Sequence, residues 1–278
     1  MAARGYVAVS INANPAYAMA YGGSSPNRRL PILFDLYMAK IAAAVNGEDV
    51  GLGVDLAGRV DLNQLVALGH SAGGEGLTQV IDGRAGRTTP EQVSAGQGPI
   101  AAAILLAPSR SAISGIEAAL PFAVILPACD RDVADLGGQG YYEEARMRPE
   151  RAALTASVYL PGANHNRFNA ALGDESLGRA SAICDGALLP AAAQRAFLAD
   201  YALHFYDAAL GRGDAPAAPA GLDPTQPAPA MLSIILRFVS HRVRKCWRKA
   251  SFPSRKRLAW RSAGGISQTV FNAGTATW

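Results

Sequence analysis

Little in this chain points toward a metal or a membrane. Its three cysteines, Cys129, Cys184 and Cys246, are scattered, and no two form a Cys-x-x-Cys pair. That spacing excludes the common zinc ribbons and dithiol redox motifs, and no metal or cofactor is expected. No apolar run approaches the ~20 residues that a membrane-spanning helix needs. The longest one near the C-terminus, residues 230–239, is interrupted by Ser233 and Arg237. The opening Met1-Ala2-Ala3-Arg4-Gly5-Tyr6 lacks the charged and apolar regions of a signal peptide, so the compartment stays open. Acidic residues are missing altogether from 237–278, a stretch with 10 Lys/Arg, whereas residues 1–236 hold 16 Lys/Arg against all 22 Asp/Glu, net −6. The basic balance of +4 therefore belongs to the tail.

Apolar residues are plentiful. They make up 50% of 278 residues, enough to bury a sizeable core in one large domain or two small ones. Short apolar runs recur, each closed by loop residues: residues 6–11, 65–68, 100–106, 122–126 and 156–160. Between or after them, residues 30–45, 74–80 and 190–210 carry apolar residues at helical spacing, the last with Pro190 at its start and Gly211 just past its end. Strands alternating with helices predict an α/β fold built on a mostly parallel sheet, with ligands at the carboxyl ends of its strands. Composition shifts to Ala, Pro, Gly and Asp after residue 212. Three segments follow from this: a core over 1–212, a linker over 213–230 and a basic tail over 231–278, disordered or partly helical.

Gly69-His70-Ser71-Ala72-Gly73 is the most informative stretch, because an apolar run delivers a serine into a Gly-x-Ser-x-Gly turn. The glycines suit a turn so sharp that side chains at Gly69 and Gly73 are expected to collide with backbone. A serine hydroxyl is a poor nucleophile at neutral pH and needs a base, itself oriented by a buried carboxylate. His165, in the Gly-Ala-Asn-His-Asn loop after the 156–160 run, is the expected base. The acid falls after the 122–126 run, where Asp130 is the first choice and Asp132 the alternative. The amide of Ala72, at the helix start, is expected to serve as one oxyanion donor. Of the other histidines, His70 is read as a pocket residue, His204 as a packing residue in a helix, and His241 lies in the tail. Cys129 and Cys184 sit near the acid and histidine segments, and two readings stand: a disulfide, which needs an oxidising compartment, or two ordinary thiols.

Taken in order, Gly-His-Ser-x-Gly-Gly-Glu-Gly at 69–76, Cys-Asp-x-Asp-Val at 129–133 and Gly-Ala-Asn-His-Asn at 162–166 resemble the α/β-hydrolase superfamily. The likeness is to its dienelactone-hydrolase-like and cutinase-like polyesterase branch, over about residues 1–212. The resemblance implies a three-layer fold and cleavage of small or polymeric carboxylic esters through an acyl-enzyme, in secreted or periplasmic proteins. Ser71 would be nucleophile, His165 acid/base and Asp130 or Asp132 the orienting carboxylate. Tyr17 and Tyr21, in the loop after the first run, are candidates for an acyl pocket. Family members begin with three further strands, and a His-Gly or Gly-Gly loop for the second oxyanion donor would precede Tyr6. The expectation is a frame that starts late, or a remnant gene.

A competing class is a non-catalytic hydrolase-like protein. Ten cations with Trp247, Phe252 and Trp260 across the tail suit nucleic acid or anionic lipid, but neither partner is firmly implied. An extension without selected function is the plainer reading of the tail, and oligomeric state is open.

Overall fold

The computed structural model describes residues 1–13, 26–111, 115–148, 153–174, 180–182, 184, 187–212, 235–239, 259–261 and 267–269. Four parallel strands carry the fold: β1 (Val66–His70), β2 (Ala102–Leu106), β3 (Phe122–Pro127) and β4 (Thr155–Leu160), hydrogen-bonded in that order. Helices α1 (Pro26–Val45), α2 (Ala72–Arg84), α3 (Pro90–Ser94), α4 (Gln139–Arg146) and α5 (Ala191–Ala209) connect and cover them. This is an α/β arrangement.

Burial explains why β2 and β3 read as unbroken apolar runs. Every residue of Ala-Ala-Ile-Leu-Leu and Phe-Ala-Val-Ile-Leu-Pro is buried, as expected of parallel strands covered on both faces. Side chains alternate between two cores. Ala102, Ile104, Leu106, Ala123 and Ile125 meet Tyr201, Ala202, Phe205 and Tyr206 of α5. Ala103, Leu105, Phe122, Val124 and Leu126 meet Leu77, Val80 and Ile81 of α2 with Tyr141, Tyr142 and Ala145 of α4. Helix α1 packs on α2 so closely that a Cβ on Gly76 would lie 2.1 Å from Leu30 Cδ1.

One expectation from the sequence does not hold. Residues 6–11, read as a buried strand, form no ladder; Val7 and Val9 stay 48% and 50% exposed. A strand is a property of pairs, and among the described residues no neighbouring strand meets this segment. It is instead tethered at its first residue, where Tyr6 Oη donates to Asp207 Oδ1 at 2.7 Å and the Arg212 guanidinium lies 4.8 Å from the ring centroid. Of the tail, only residues 235–239, 259–261 and 267–269 are described, and these form short strands. β5 (Ile235–Val239) pairs antiparallel with β4, and β6 (Ala259–Arg261) pairs with β7 (Ser267–Thr269). Ile-Leu-Arg-Phe-Val is rich in strand-forming residues, and β4 offers it a partner.

Among the described residues, the strand leading to Ser71 stands at the sheet edge. Leu65 O accepts from Ala101 N, and Ser71 N donates to Leu106 O, so the odd-numbered residues of β1 direct their backbone groups toward β2. Val66, Leu68 and His70 then present theirs to the open side, where Leu68 is 43% exposed. Hydrogen exchange should divide β1 by parity. The amides of Val66, Leu68 and His70 are expected to exchange far faster than those of Ala67 and Gly69, as read by residue-resolved NMR, and equal protection would mean that the edge is covered in solution.

Candidate active site

Ser71 occupies the turn between β1 and α2 with φ 56° and ψ −130°, a region that L-residues other than glycine rarely enter. Two glycines permit the turn. A Cβ on Gly69 would lie 2.4 Å from Gly73 O, and one on Gly74 would lie 2.8 Å from Pro108 Cβ. Gly73, expected to be sterically required, faces open space: a Cβ there would meet nothing within 4 Å. The close approach belongs to Gly74, which backs onto the loop after β2. Ser71 O accepts from Gly74 N, Glu75 N and Ser109 N, which ties the turn to that loop. The Ala72 amide, in the first turn of α2, donates to no acceptor among the described residues.

His165 follows β4 and Asp130 follows β3, so adjacent parallel strands deliver them to the same sheet end as Ser71. The His165 Nδ1 donates to Asp130 Oδ2 at 2.9 Å, and both side chains are almost fully buried. Asp130 Oδ1 accepts from the amides of Asp132 (2.9 Å) and Val133 (2.7 Å), bonds that stabilise the ionised carboxylate. Of the two acids left open by the sequence, Asp130 is therefore the one on Nδ1. Asp132, 67% exposed in its side chain, instead places Oδ2 3.4 Å from His165 Nε2. The Ser71 hydroxyl makes no hydrogen bond among the described residues.

Supports around the histidine come from parts of the chain that local patterns did not flag. Gln194 of α5, fully buried, clamps the peptide before it: Asn164 N donates to Gln194 Oε1 (3.0 Å) and Gln194 Nε2 donates to Asn164 O (2.6 Å). A signal existed, since Gln194 is a polar residue seven positions before Tyr201 on the apolar stripe. Glu75, a carboxylate between Gly74 and Gly76, accepts from Ser109 Oγ (2.9 Å) and Ser111 N (3.3 Å) and so braces the β2 loop against the elbow. Cys129 and Cys184 form a disulfide, deciding between the two readings of these thiols. Beside it, Ser181 N donates to Asp130 O at 2.9 Å. Closing a separation of 55 residues stabilises the fold by about 4 kcal/mol in the loop-entropy account.

His70 packs behind His165, its ring centroid 4.6 Å from that of His165 and 6.4 Å from Phe168. Burial first, then the neighbouring His165, pushes its pKa down to about 4, so His70 is neutral at physiological pH, and its buried Nε2 has no partner among the described residues. His204 hydrogen-bonds the Asp200 carbonyl within α5. Tyr17, Tyr21 and His241 lie outside the described residues. No group of metal ligands occurs among the described residues, and no helix there is long and apolar enough to cross a membrane. The chain matches no known family model and no curated protein sequence.

Two expected outcomes follow from these contacts. Gly69→Ala drives a methyl into the Gly73 carbonyl and should destabilise the fold by about 1–3 kcal/mol in urea titration; unchanged stability would mean that the turn is looser than described. For His70, the unfolded chain binds the extra proton between pH 6.5 and about 4, so stability is fully present above 6.5 and is lost as pH falls toward 4. His70→Phe should remove an acid-induced loss on the order of 3 kcal/mol across that window, measured by urea midpoints at pH 7 and pH 4.5.

Proposed function

We propose that this protein is a serine hydrolase that cleaves carboxylic esters through an acyl-enzyme intermediate. The observation that carries the reading is the backbone of Ser71, held at φ 56° and ψ −130° at the head of α2, at the sheet end where Asp130 binds His165. Strain of that kind at a serine is a reason to look for function, and the carboxylate–imidazole pair beside it supplies the chemistry. The α/β arrangement, with β1 leading directly into the Ser71 turn, supports reading it as a three-layer α/β-hydrolase fold with β1 as the elbow strand.

In this reading Ser71 Oγ attacks the ester carbonyl while its proton passes to His165 Nε2. Asp130 fixes the tautomer through Nδ1 and stabilises the imidazolium that forms. The proton then goes to the departing alkoxide, leaving Ser71 acylated. Water, activated by the same Nε2, releases the acid. The tetrahedral oxyanion lies at the head of α2, where the Ala72 amide and the positive end of the helix favour negative charge. Glu75 and Gln194 act by holding the two loops that flank this path. A small or polymeric ester is the proposed substrate, and none of the proposed steps calls for a cofactor.

Hydrolysis of p-nitrophenyl acetate by the full chain, with Ser71→Ala as control, tests the proposal. The variant should lose at least about a thousandfold in kcat, and a fluorophosphonate probe should label Ser71 only in the parent protein. Equal rates and no labelling would favour the competing class, a non-catalytic protein of this fold that works through its surface or basic tail.

A further inference from the structure

His165 stands between two carboxylates, one on each ring nitrogen: Asp130 Oδ2 2.9 Å from Nδ1 and Asp132 Oδ2 3.4 Å from Nε2. The two contacts differ in consequence. The first is a buried hydrogen bond that any orienting acid makes. The second falls on the nitrogen that must be free of a proton to accept one from Ser71. When Nδ1 carries the hydrogen directed at Asp130, a neutral ring turns its Nε2 lone pair toward the Asp132 anion, and the two repel. Attraction requires Nε2 to be protonated.

We propose that Asp132 is a positioning residue that claims His165 Nε2 at rest, holding the imidazole in its charged form and setting the pH at which it becomes free to serve Ser71. This rests on the reading of Ser71 and His165 as nucleophile and base. Release takes two motions: the Nε2 proton leaves to solvent, and the Asp132 side chain, exposed on a short loop, turns away. Nothing buried has to move.

Among the described residues, the other charged groups near the ring lie or point elsewhere. His70, at the end of β1, is neutral and opposes a charge on His165. Arg131, between the two acids, is exposed and makes no ion pair among the described residues. Arg167, in the 3-10 turn Asn166–Phe168, directs its guanidinium to Asp174 and to the Leu189 carbonyl. From α5 the approach is made by Gln194, which carries no charge.

The test compares the full chain with Asp132→Asn and with Asp135→Asn. The latter removes an exposed carboxylate of the same loop whose bond is to Gly137 N. In the pH profile of kcat/KM for p-nitrophenyl acetate, Asp132→Asn should move the acid limb down by about half a pH unit, the size expected of an exposed ion pair. On that limb this corresponds to about threefold higher activity, and 0.5 M NaCl should shrink the difference. Asp135→Asn should leave the limb in place. A second readout needs no catalysis: the His165 imidazole of ring-labelled protein, assigned with His165→Gln and titrated by NMR, should shift by the same amount in Asp132→Asn alone. An unshifted His165 titration, or equal shifts in both variants, overturns the proposal. A shifted titration in a chain without esterase activity upholds the contact and overturns the catalytic reading.

Discussion

The site depends on one close approach of backbone to backbone. Between β1 and α2 the chain reverses so sharply that Gly69 and Gly73 come within the reach of a single methyl group, and Ser71 takes the strained conformation that this reversal demands. Such a turn persists only where its surroundings hold it. Here the hold is threefold: the β1–β2 ladder behind it, the start of α2 ahead of it, and the loop after β2, whose Pro108 fills the space over Gly74. The amide of Ser109 in that loop bonds the Ser71 carbonyl itself.

Support for the histidine is separate and reaches across the fold. Asp130 and His165 sit on loops after neighbouring strands, so the parallel ladder sets their spacing before any side chain does. Gln194 then fixes the peptide at Asn164 from α5, and the Cys129–Cys184 disulfide keeps the residues around Ser181 against Asp130. One loop carries the buried Asp130 and the other the buried His165, and Asp132 approaches the same ring from its exposed side.

β1 itself is unevenly supported. One edge is locked into the sheet, and Tyr206 Oη reinforces it by donating to Ala67 O at 2.8 Å; among the described residues no strand pairs with the other edge, beside Leu68. Edge strands often carry charge, proline or a bulge as protection, but Val-Ala-Leu-Gly-His has none. The segment after Tyr6 has the composition to pair, yet it is tied down at Tyr6 by Asp207 and Arg212 and forms no ladder.

By itself the sequence determined the parallel sheet, because long buried apolar runs leave few alternatives. It also determined the turn at Ser71, where Gly69 is a steric requirement although Gly73 is not, and the order in which serine, acid and histidine reach the sheet end. Its reading of residues 6–11 as a strand failed because pairing is not a local property. Tertiary structure alone decided which of Asp130 and Asp132 meets Nδ1, since residues two apart on a tight loop point in different directions. It decided too that the two cysteines bond and that Gln194 and Glu75 brace the site. Each of those contacts joins residues far apart in the chain or turns on a loop's conformation, and neither spacing nor hydrophobic pattern encodes such geometry.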